Sequence, residues 1–225
     1  MKRGNFRLQT LLAVVVIFFT VFNTAASVNP SGTLSINSPQ KVVQTLVEKI
    51  RSIKRPEDDN SNLSPKDIKY NNKLYGEISS LIDIMGISRY ALDDDWNRVG
   101  ASGQKKFQNL FRQLLEKVAY PNTAKFFKDL ELEIRNVKVI KSKAMVYTSV
   151  YHEEEGRVDI DFKLQKNDHS WVIVDVYLDG VSLVRNLRTQ CQKIIREHSF
   201  AELLKRMEKK LSEEDKADIS EITAR

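Results

Sequence analysis

The chain is poor in the residues that build reactive centres. It has one cysteine, Cys191, so no intrachain disulfide can form and stability has to come from packing. Cys191 falls in a predicted helix, four residues before Ile195, where a small buried hydrophobe is the expected role. Three histidines, His152, His169 and His198, lie in separate segments with no partner at ligand spacing, and neither Cys-x-x-Cys nor His-Glu-x-x-His occurs. That excludes the familiar zinc motifs. Only eight glycines are present, none in a phosphate loop, a nucleophile elbow or a dinucleotide fingerprint. There is no internal repeat either. Nothing in this inventory argues for catalysis, a metal or a cofactor.

What is present begins at the N-terminus. Lys2, Arg3 and Arg7 precede an apolar run from Leu11 to Phe22, broken only by Thr20, and Thr24-Ala25-Ala26-Ser27 then offers small residues for cleavage. Residues 1–26 read as a secretory signal peptide. An uncleaved anchor starting at Leu8 is the alternative, although the run is shorter than the ~20 residues that span a bilayer. Cleavage after Ala26 removes three positive charges and no negative ones, taking the formal net charge from +6 to +3. The exported chain is mildly basic, and export argues against a nucleic-acid partner.

Residues 27–37 read as a flexible lead. Ser38-Pro39 then opens a helix whose Val42, Val43, Leu46, Val47, Ile50 and Ile53 share one face. A charged loop covers Arg55 to Pro65, followed by a helix with Leu74, Ile78, Leu81 and Ile82 and by a short helix after Ile84 that turns into the acidic loop Asp93 to Asp95. That loop lacks the spacing and glycine of a calcium loop. Ser102 is the expected cap of a long helix with Phe107, Leu110, Phe111, Leu114, Leu115 and Val118 at helical spacing, ended by Tyr120-Pro121. A brief helix comes next, with Phe126, Phe127 and Leu130.

From there the period changes to alternation. Three or four strands can be placed, at Glu131 to Ile140, Lys143 to His152, Arg157 to Lys166 and Ser170 to Leu178, with links short enough for an antiparallel meander. The third puts Val158, Ile160, Phe162 and Leu164 on one face and Arg157, Asp159, Asp161 and Lys163 on the other. Asp159 and Asp161, with Asp175 and Asp179 on the next strand, allow either an acid/base pair or a solvated charged face. Gly180 gives a sharp exit and Ser182 an N-cap for a helix to Glu197; another helix, Phe200 to Leu211, precedes a charged tail at 212–225. The last two helices are basic, which fits either a solvated surface or an electrostatic docking face. The fold class is α+β, a curved antiparallel sheet of four to five strands covered by helices, related to the NTF2-like arrangement and with room for an apolar cavity. Periodicity alone does not separate a cavity from a filled core.

The run from Trp171 through Asp175-Val176 to Asp179-Gly180-Val181-Ser182-Leu183-Val184 and Arg188 resembles a segment of the MlaC, or toluene-tolerance, family. So does an earlier block: Ile87-Ser88-Arg89-Tyr90-Ala91-Leu92, Asp95-Trp96, Ser102-Gly103-Gln104-Lys105-Lys106-Phe107 and Phe111-Arg112-Gln113-Leu114-Leu115. The likeness covers residues 38–211, with departures at Leu187, Cys191 and Tyr120-Pro121. It implies a periplasmic phospholipid shuttle, not an enzyme, between an inner-membrane ABC transporter complex and an outer-membrane lipid-transport complex, maintaining outer-membrane lipid asymmetry. A monomer is expected. Resemblance and register place the lipid-facing side chains on the long helix (Phe107, Phe111, Leu114), on the apolar sheet face (Val146, Val150, Phe162, Leu164, Trp171) and at Val181 and Val184. Each reads equally well as ordinary core. Two rivals stay open: an NTF2-like module with a small ligand or isomerase chemistry, and a solid binding protein that meets partners through its basic helices.

Overall fold

The computed structural model describes residues 38–56, 62–127, 130–152, 156–168 and 170–223, with backbone only for residues 152 and 214–223. The expected signal peptide and flexible lead lie outside these residues. Helix α1 (Pro39–Arg51) starts as the sequence indicates: Ser38 Oγ accepts from the Lys41 N–H at 3.2 Å, and Pro39 takes the first position, where its missing N–H is harmless. Ser64 and Asp83 cap α2 (Pro65–Ser79) and α3 (Ile84–Leu92) in the same way.

Two local expectations are overturned after that. Ser102 is not a cap. The short α4 (Asp95–Arg98) runs through Val99 into α5 (Gly100–Leu114), and the left-handed Gly100 (φ 64°) makes the turn, so the helix begins two residues before Ser102. Nor does Tyr120-Pro121 end the helical run. A π-helical turn (Leu115–Ala119) moves the hydrogen-bond register, with the Tyr120 N–H reaching the Leu115 carbonyl, and Pro121 lands in the first turn of a new helix, α6 (Tyr120–Phe126).

Strands β1 (Leu132–Ile140), β2 (Lys143–His152), β3 (Gly156–Lys166) and β4 (Trp171–Leu178) form an antiparallel meander, extended by the two-residue β5 (Val181–Ser182). Their order is that of the chain. Asp179 (φ 46°) and Gly180 (φ 79°) make the two-residue link from β4 to β5, the left-handed pair that tight hairpins demand. Two bulges interrupt the ladder, one at Arg135 in β1 and one at Val174 in β4. Such insertions bend a sheet and reverse the facing of the residues beyond them. Helices α7 (Leu183–Glu197) and α8 (Phe200–Thr223) close the chain. α8 runs past the expected end at Leu211 because the tail holds no glycine or proline, and a helix once nucleated propagates through charged helix formers.

The apolar side chains sort into two clusters. In the first, α1, α2 and α6 cover one face of the sheet, with Val43, Leu46, Ile50, Ile78 and Tyr120 meeting Val146, Val158, Phe162, Leu164 and Ile173. The second is helical. Phe107 and Leu110 of α5 pack with Ala91 and Leu92 of α3, Cys191 of α7, and Leu203, Leu204, Met207 and Leu211 of α8.

Candidate functional site

The layer between the sheet and α1, α2 and α6 is closed in its middle and bordered on one side by half-covered apolar side chains. On β2, Val150, Thr148, Val146 and Ala144 have at most 3% of their surface exposed. Their register partners on the edge strand β1 are Leu132, Ile134, Val137 and Val139. The first three are half-buried and Val139 is 51% exposed. One strand therefore separates a sealed interior from an apolar margin. Leu115, Phe126 and Tyr75 from the helical side are half-buried against the same cluster. The bulge at Arg135 lets Leu132, Ile134 and Val137 all face the helices although their spacing changes from two to three.

The structure gathers some of the expected lipid-facing residues and divides others. Val146, Val150, Phe162, Leu164 and Trp171 lie together in the sheet-and-helix cluster, all buried. Phe107, Phe111 and Leu114 belong to the helical cluster, with the Phe107 and Phe111 rings stacked at 6.3 Å. The π-helical turn passes from one cluster to the other, Leu114 packing in the second and Leu115 in the first. Val181 is 40% exposed at the β4–β5 hairpin, and Val184 is half-buried in the first turn of α7. Sequence reasoning passed over the β1 row, because a bulge has no dependable signature in a single sequence.

The acidic residues are engaged in structure. The Ser182 hydroxyl donates to Asp175 Oδ2 at 2.7 Å, the Val184 N–H donates to Oδ1 at 3.1 Å, and the Arg185 N–H donates to Ser182 Oγ at 3.0 Å. Asp175 and Ser182 together thus cap α7. The bulge at Val174 makes this possible by turning Asp175 off the apolar face, opposite Lys163. Asp175 is the only buried carboxylate among the described residues. On the sheet face away from the helices, Arg135 Nη2 lies 3.0 Å from Asp159 and 3.4 Å from Asp161. Asp161 accepts from the Thr148 N–H, and Asp179 accepts from the Asp159 N–H, both at 3.0 Å. No acid among them is left free beside the apolar layer.

Other polar groups behave in the same way. Tyr120 Oη is 3.1 Å from Ser79 Oγ, which donates to Glu116 at 3.2 Å; burial pushes the phenol up to about 12, against the Ser79 hydrogen bond. Burial likewise pushes the Cys191 thiol up to about 12, so it is an apolar filler and not a nucleophile. A surface groove of about 370 Å³ between α1 and α2, lined by Glu48, Lys49, Ser52, Tyr70, Lys73, Leu74 and Glu77, mixes both charge signs and does not suit hydrocarbon. Among the described residues no helix is long and apolar enough to cross a membrane.

The fold is similar to that of the phospholipid-binding protein from Ralstonia solanacearum, solved in complex with a phospholipid. The TM-score is 0.65 at 16% sequence identity, over 78% of this chain and 98% of that one. No curated protein matches the chain. Residues 40–209 match the family described as MlaC protein, about three quarters of the sequence, and the chain belongs to the MlaC family.

Proposed function

We propose that this protein binds a phospholipid and carries it, sheltering the acyl chains in the layer between the sheet and α1, α2 and α6. At ~0.8 kcal/mol of apolar transfer free energy per methylene, two exposed acyl chains amount to more than ~20 kcal/mol, so an aqueous crossing needs a carrier. The observation that carries the reading is the β1 margin: Leu132, Ile134, Val137 and Val139 are incompletely covered apolar side chains leading into a sealed apolar interior. Family membership and the phospholipid held by the similarly folded Ralstonia solanacearum protein support it. The chain's finer role is that of the family: a periplasmic shuttle between an inner-membrane ABC transporter complex and an outer-membrane complex, serving outer-membrane lipid asymmetry. Against the isomerase-type rival stands Asp175, whose two oxygens are occupied by the cap of α7.

Mass spectrometry of an organic extract of the purified protein tests this. Two-chain lipid near one per protein is expected, and Ile134→Asp or Val137→Asp, both at half-buried positions, cuts it at least tenfold. A small polar ligand in place of lipid would favour the NTF2-like rival. Folded variants that keep the wild-type lipid content sink the assignment of the margin.

A further inference from the structure

Helices α7 and α8 are both rich in cations but treat them differently. On α8, Arg206 pairs with Glu202 and Lys209 with Glu213, Glu208 takes Lys106 of α5, and Lys205 forms no ion pair among the described residues. On α7, Arg185, Thr189, Lys193 and Arg196 recur at spacings of four, four and three, one exposed stripe about 16 Å long. The single acid of α7 is Glu197, at its last position. Arg185, Lys193 and Arg196 form no ion pair among the described residues. Arg185 also sits in the first turn, where the helix dipole disfavours a cation, and the Asp175 carboxylate that caps α7 lies at the same end.

The neighbouring helix adds exposed apolar side chains. Helix α3 packs against α7, and its Met85 and Tyr90 are 64% and 43% exposed. The Arg188 guanidinium, paired with Asp93, lies 4.9 Å from the Tyr90 ring centroid, which ties that ring to the α7 surface. Arg89, also exposed, makes no ion pair among the described residues. Long unpaired cations with an exposed aromatic on the adjoining helix are the chemistry that meets headgroup phosphates and the boundary beneath them. An acidic protein would be gripped through an anchor in a desolvated pocket. A helix face with its cations spread in a line suits instead a surface that reads charge density.

We propose that the exposed face of α7, with Tyr90 of α3, docks the protein on an anionic lipid surface. The proposal rests on the carrier reading, since the complexes such a carrier serves are embedded in bilayers, but it involves none of the residues assigned to the cargo layer. The test is cosedimentation of the protein, as the cell processes it, with phosphatidylcholine vesicles that contain or lack phosphatidylglycerol. Binding only to the anionic vesicles is expected, with release at about 0.5 M salt, where screening is strong. Arg185→Gln, Lys193→Gln and Arg196→Gln should each weaken it about fivefold. Arg206→Gln, on a side chain already engaged by Glu202, should change it less than about twofold. Equal binding to both vesicle types, or an unaffected triple α7 variant, overturns the proposal. So does capture of an acidic protein through these side chains with no vesicle binding. Co-purified lipid, measured in parallel, should be unchanged in the triple variant; its loss there would move the cations to the cargo site and refute the docking role. Lipid missing from the wild-type protein would count against the carrier reading instead.

Discussion

Asp161 stands on the charged face of β3, accepting from the Thr148 N–H at 3.0 Å with the Arg135 guanidinium 3.4 Å away. Burial nonetheless outweighs both and holds its carboxyl above the usual carboxylate range. A raised value in the folded protein means that folding favours the protonated form. The stabilising contribution is complete below the ordinary value near ~3.9 and is lost as pH rises through the folded one. Wild type should therefore gain melting temperature relative to Asp161→Asn as pH falls from 7 to about 3; a difference that shrinks on acidification contradicts the assignment. The sequence showed Asp159 and Asp161 on one strand face but not their common engagement by Arg135. That residue is brought in by a bulge, and a bulge depends on how β1 fits β2.

At the scale of elements, the β4–β5 hairpin shows how far local chemistry reaches. Gly180 holds φ 79°, and a Cβ there would find no heavy atom within 4 Å. The barrier to alanine is conformational, not steric crowding by neighbours. Gly180→Ala should destabilise the protein by about 1 kcal/mol and lower its melting temperature by a few degrees; an unchanged melt would argue against the left-handed turn. Ser38, Pro39, Ser182 and the alternation of β3 were all legible in the sequence, since cap, turn and face are fixed within a few residues. Ser102 and Pro121 misled for the opposite reason. What decided them was Gly100 steering α4 into α5 and a π-helical turn re-registering the chain ahead of proline, and both belong to how α5 packs between its neighbours.

Over the whole molecule, two apolar clusters share the work of stability, and only one borders the β1 margin. Leu46 on α1 and Leu204 on α8 are comparably buried, at 5% and 7%. Truncation of either to alanine should cost about 2–5 kcal/mol, read from denaturant melts. Lipid content separates them: Leu46→Ala should reduce bound lipid and Leu204→Ala should not. If the folded Leu204→Ala protein loses lipid equally, the acyl chains belong beside Phe107, Phe111 and Leu114.

The sequence by itself determined the order of the main helices and strands, the antiparallel meander, the capped start of α7 and the family. Each of these is written in contiguous residues, where the period of apolar positions and the chemistry of caps and turns act locally. Only the tertiary structure decided which apolar faces are sealed and which are left as a margin. An apolar row looks the same in sequence whether helices cover it, as at Val146 and Val150, or stop short of it, as at Ile134 and Val137. The difference lies in two one-residue slips of register and in where α1, α2 and α6 come to rest on the sheet.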